Sequence, residues 1–116
     1  SFAIADVGLA ADRCEAALRA RWPNATILIY GHLGDGNLHI VVHEPDWPAS
    51  AAREVQDVVY GITGEMQGSV SAEHGIGSKK LRVLGLTRTP ADLAAMRAIK
   101  LALDPLWLLN PGKVLV

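Results

Sequence analysis

Residues 26–43 read TILIYGHLGDGNLHIVVH, and this stretch decides the fold. Thr26–Tyr30 is a β-branched and apolar run, which predicts a strand. Leu38–His43 alternates: Leu38, Ile40 and Val42 fall on one face, and His39, Val41 and His43 on the other. Between the two runs stand Gly34, Asp35, Gly36 and Asn37, all turn formers, so the reading is an antiparallel β-hairpin. With a loop of residues 34–37, Leu33 pairs with Leu38, and His32 with His39.

Upstream, Val7, Ala10, Cys14, Leu18 and Trp22 share one face of a helix over residues 3–22, ended by Pro23. Downstream, a helix opens near Asp46–Pro48, with Val55, Val59, Ile62 and Met66 as its buried ridge and Gly68 as its stop. Ser69–Glu73 alternates and suits a third strand, followed by the glycine loop His74-Gly75-Ile76-Gly77. Thr89-Pro90-Ala91-Asp92 is a capping sequence for a helix through Leu93, Met96, Ile99 and Leu103. Asp104-Pro105 ends that helix, and Asn110–Lys113 forms a turn. The order α, β, β, α, β, α predicts an α+β fold. It is a partial ferredoxin-like antiparallel sheet whose first strand is missing, with helices on one face and a C-terminal helical extension. The missing strand would lie just upstream. Ser1, in place of an initiator Met, leads straight into the first helix, which points the same way, to a piece of a longer protein.

Half of the 116 residues are hydrophobic and mean hydropathy is +0.21, which excludes a disordered chain. Eleven basic against twelve acidic residues leave a net charge of −1 and no footprint for nucleic acid. The single cysteine, Cys14, excludes a disulfide framework and reads as a small core hydrophobe. No apolar run approaches a membrane span, and no signal peptide is visible, so the placement expected is cytoplasmic.

Chemistry concentrates around the hairpin. Opposed residues on an antiparallel pair have Cβ atoms about 4.5–5.5 Å apart, so His32 and His39 could share a divalent ion. Glu73, at the end of the third strand, would complete a set of two histidines and one carboxylate with an open coordination position. The plainer reading leaves His39 a cross-strand histidine, Glu73 a surface carboxylate and His43 solvent-exposed. Asp35 and Asn37 are then turn residues, and Lys79 and Lys80 a solvated helix start. Residues 75–80, GIGSKK, are no Walker A sequence, and the glycines of residues 31–36 sit in a hairpin rather than before a helix.

Three motifs in order, His32–His39, Ser71–Gly77 and Asn110–Lys113, resemble the C-terminal region of FAD-linked oxidases. That family includes D-lactate dehydrogenases, D-2-hydroxyglutarate dehydrogenases and the glycolate oxidase flavoprotein subunit. The resemblance covers residues 26–115 and implies a C-terminal substrate- and metal-binding domain over residues 1–116. Residues 1–88 would be its ferredoxin-like part, and residues 89–116 the C-terminal helix and flavin-facing tail. It implies metal ligands at His32, His39 and Glu73, a catalytic base at His74, substrate contacts at Asn37 and Lys80, and a flavin contact at Asn110. The cofactors implied are FAD, held mainly by a domain outside these residues, and a divalent ion: zinc first, manganese or iron as alternatives. The partners implied are a small hydroxy acid and the FAD-binding domain of the same chain, with no nucleic acid and no membrane span. Peripheral membrane association is open to the full-length protein.

In the hydroxyglutarate enzymes an Asn two residues after the second metal His contacts substrate; here that position is Val41, which leaves the acid's side chain open. The expected reaction is oxidation of a D-2-hydroxy acid to the 2-oxo acid by the full-length protein, these residues alone being inactive. Two other readings remain at this point, a non-catalytic small-molecule-binding module and a metal-dependent hydrolase. The sheet edge left by the missing strand further suggests a homo-oligomer.

Overall fold

A computed structural model describes residues 1–116. After a single 3-10 turn at Ile4–Asp6, α1 spans Val7–Arg21 and buries Val7, Ala10, Cys14 and Leu18, the face read from the sequence. Trp22 closes the helix because the residue before a proline is pushed out of the helical region. Cys14 is fully buried, and burial pushes its thiol pKa up, as expected of a core residue. Helix α1 packs against both strands of the hairpin and against α2, Ala51–Glu65. Helix α2 starts later than the sequence suggests, because Asp46 adopts a left-handed turn (φ +62°) and Ser50 takes the N-cap.

The hairpin pairs β1, Thr26–His32, with β2, Asn37–His43, in antiparallel register. The register differs from the expected one. Tyr30, not His32, stands opposite His39, and His32 stands opposite Asn37. Leu33–Asp35 form a 3-10 turn closed by Gly36 at φ +65°, so the loop is residues 33–36 and Asn37 joins the ladder. The slip moves each partner by two positions. Because side chains alternate with a period of two, His32 and His39 remain on one face as diagonal neighbours. Gly31 is required by closeness, since a Cβ there would lie 2.0 Å from the Asn37 carbonyl oxygen.

The sheet has two strands, and the third expected strand does not form. Residues 69–73 run as bends rather than in a ladder with β2. Ser1 and Phe2 take the hydrogen bonds on either side instead. Phe2 N donates to Gly36 O at 2.8 Å, Ser69 N donates to Ser1 O at 2.8 Å, and Ser1 N donates to Ser69 O at 2.7 Å. The α+β class holds, with the sheet reduced to its hairpin. Missed in the sequence was a 3-10 stretch, Leu81–Leu86, which buries Val83 and Leu84.

Helix α3, Pro90–Leu103, opens with the expected capping box: the Thr89 hydroxyl accepts from Asp92 N, and the Asp92 carboxylate accepts from Thr89 N. Such caps contribute about 1 kcal/mol each. None of the residues of α3 is buried. Asp104 ends it, accepting from Lys100 Nζ and from the backbone amides of Leu108 and Leu109, and these partners hold its carboxyl below the usual range. No helix is long and apolar enough to cross a membrane.

Gly36 is constrained twice, by its positive φ and by Phe2 O, which would lie 2.0 Å from an added Cβ. Gly36→Ala is expected to lower unfolding stability by at least about 1 kcal/mol in urea denaturation. An unchanged midpoint would remove the turn from its place in the fold.

Candidate active site

The outer face of the hairpin, turned away from α1, carries Leu28, Tyr30, His32, His39 and Val41. Against it the segment after α2 brings Glu73. The Glu73 Oε1 atom lies 3.3 Å from His32 Nδ1 and 3.3 Å from His39 Nε2. One donor atom from each residue can be chosen so that all lie within 4.8 Å of one another. The structure therefore brings together the three residues expected at one point.

These separations are long for hydrogen bonds but suit another arrangement. A tetrahedral zinc site with arms of about 2.1 Å has edges of roughly 3.4 Å between ligand atoms. Two imidazole nitrogens and a carboxylate oxygen are the donor types that zinc, manganese and iron accept. The donor set thus fits a divalent ion in chemistry, and its two Glu73–histidine edges fit in spacing.

Neighbouring side chains hold the set in place. Tyr30 stacks on His39, with ring centroids 5.2 Å apart and planes 19° apart. The His32 ring meets the His39 ring edge-on at 5.5 Å. Asn37, 5 % exposed, donates from Nδ2 to Glu73 Oε1. Neither Tyr30 nor this use of Asn37 was read from the sequence. The cross-strand pairing Tyr30↔His39 is the signal that would have found the former, once the turn was placed correctly.

His74 follows Glu73 and is 85 % exposed, with Nε2 3.7 Å from Glu73 Oε2. Its loop is shaped locally: the Ser71 hydroxyl donates to Gly75 O at 2.8 Å, and Gly75 and Gly77 both take positive φ. A cleft of about 320 Å³ opens along the edge of β2, with Asn37, His39, Glu73, His74 and Lys80 on its polar side and Val55, Val59 and Val70 on its apolar side. Lys80 forms no ion pair, and partial burial lowers its ammonium pKa from the usual lysine value.

Asn110 is exposed, in a left-handed turn (φ +51°) whose carbonyl accepts from Lys113 N. Its tail is tied to the His74 loop by Val114 N, which donates to Gly77 O at 2.8 Å. His43 lies exposed at the end of β2, and Val41, on the same face as His39, stands opposite Leu28.

Comparison with known proteins places this geometry in context. The family model described as FAD linked oxidases, C-terminal domain, matches residues 4–114. Mitochondrial D-2-hydroxyglutarate dehydrogenase of Bos taurus is 48 % identical over 100 residues, covering 84 % of this chain and 18 % of its own length. D-2-hydroxyglutarate dehydrogenase of Xanthomonas citri pv. viticola is 42 % identical over 105 residues, 86 % of this chain and 22 % of its own. That of Stutzerimonas stutzeri is 35 % identical over 105 residues, with 86 % and 23 % covered. The chain thus spans less than a quarter of the length of these relatives.

Lys80 offers a direct check on the cleft. Titration of its Nζ by heteronuclear NMR is expected to give a midpoint below that of free lysine, because the charged form is partly desolvated. A midpoint at or above the free value would mean that Lys80 is fully hydrated or already paired with an acid.

Proposed function

The chain belongs to the FAD-linked oxidase C-terminal domain family, and on that premise we propose that it supplies the acid–base and substrate-orienting half of an FAD-dependent D-2-hydroxy acid dehydrogenase. The convergence of His32, His39 and Glu73 beside His74 carries this reading. The substrates that fit are small D-2-hydroxy acids of the lactate, glycolate or 2-hydroxyglutarate type. The names of the relatives put the last of these first to assay. The FAD-binding domain is supplied by the rest of the full-length protein.

His32, His39 and Glu73 would hold the divalent ion, leaving the rest of its coordination open to substrate oxygens. When bound, the ion would supply Lewis-acid polarisation of substrate oxygens, and FAD would supply the two-electron acceptor for oxidation at C2. His74 takes the hydroxyl proton on a ring nitrogen. It stands next to Glu73 in sequence yet outside the ligand set, so it is free to act as a base. The Lys80 ammonium, partly desolvated and without an ion-pair partner, gains a counter-charge when a substrate carboxylate enters the cleft. Asn110, on the tail tied to the His74 loop, would meet the flavin held by the FAD-binding domain.

A non-catalytic binding module would have no use for a base beside the ligand set. A hydrolase would need no flavin.

The test is His74→Ala in the full-length protein, followed by anaerobic flavin reduction with D-2-hydroxyglutarate, D-lactate and glycolate. The reduction rate should fall about 10²- to 10⁴-fold while bound FAD and metal are retained. Unchanged reduction with the preferred acid would remove His74 from the chemistry, and loss of metal would make it a ligand.

A further inference from the structure

Asn37 is the first residue of β2, stands opposite His32 in the register, and is buried although its side chain is polar. Its amide nitrogen is spent on one atom, Glu73 Oε1, the oxygen equidistant from His32 and His39. We propose that Asn37 is a positioning residue for the metal centre, whose task is to aim Glu73 Oε1 at the two histidines rather than to touch substrate. The proposal rests on the metal-site reading given above.

Glu73 needs such help. It sits on a segment of bends with no strand ladder, so no neighbouring strand limits where its carboxylate points. A carboxylate oxygen has two lone-pair directions. The Asn37 amide occupies one and leaves the other turned toward the histidines. The donor arrives from the same hairpin that carries both imidazoles, so all three ligand atoms are referred to a single rigid element.

The chemistry of the donor matters as well. A neutral amide adds no charge, so a divalent ion with one carboxylate keeps a net positive charge for an anionic substrate. A lysine in this place would repel the ion, and an aspartate would repel Glu73. The close approach of Gly31 to the Asn37 carbonyl holds the backbone of Asn37 at a fixed distance from β1. Outer-shell donors of this kind typically change metal affinity 10- to 100-fold when removed.

The experiment is zinc binding to the metal-stripped full-length protein, measured by competition with a chromogenic chelator. Wild type, Asn37→Leu, Asn37→Ser and His39→Ala are compared, with the melting temperature of each metal-free form. Leu keeps the branched four-heavy-atom skeleton of the Asn37 side chain, in a somewhat larger volume, without a donor. Ser leaves a hydroxyl too short to reach Glu73, and serves if Leu does not pack. The expected result is zinc affinity 10- to 100-fold weaker in the Asn37 variants, with metal-free melting close to wild type. Zinc affinity within about twofold of wild type, with or without a lower melting temperature, overturns the proposal and leaves Asn37 a structural residue. If wild type and His39→Ala bind zinc equally poorly, the metal-site reading itself fails and takes the Asn37 proposal with it.

Discussion

The turn at residues 33–36 sets the register of β1 against β2, and the rest of the site depends on that register. Side chains on a strand alternate, so slipping one partner by a single position would send His39 to the face packed by α1. Gly36 closes the turn in a conformation that a larger residue adopts only under strain, and Phe2 occupies the space where its side chain would go. From this follow the two imidazoles on one surface, the stacking of Tyr30 on His39 and the burial of Asn37 under Glu73.

Electrostatics then separates the roles. Glu73 gathers His32, His39 and the Asn37 amide around one oxygen, while its other oxygen is the one nearest His74. The carboxylate is thus shared between a ligand-like cluster and an exposed imidazole. Lys80 contributes an unpaired ammonium to the same cleft. The exposed ion pairs elsewhere, such as Arg13–Glu65 and Arg21–Glu54, contribute little beyond solubility and about 0–1 kcal/mol each.

Much of this was legible in the sequence, for physical reasons that can be named. The period of α1 exposed its core face, and the Thr89–Asp92 pattern marked the start of α3, because caps and amphipathic faces are local properties. Alternation puts the two histidines on one face even though the turn lies one residue earlier on each strand than the pattern suggests. A hydrophobic pattern reports parity, not pairing. The third strand suggested by the pattern does not form. Ser69–Glu73 alternates well, but a strand exists only through its partners, and here Ser69 bonds to Ser1 while no ladder joins residues 69–73 to β2. The Asn37–Glu73 bond is not legible in the sequence, because neither composition nor spacing reveals which carboxylate a distant segment brings to Asn37.

The most direct measurement of the metal-centre reading is anomalous diffraction at the zinc absorption edge from crystals of the full-length protein grown with equimolar zinc. A single strong peak about 2.0–2.2 Å from His32 Nδ1, His39 Nε2 and a Glu73 oxygen is the result expected. A peak bound elsewhere, or a map in which Glu73 turns away from both histidines while zinc occupies another site, would contradict it.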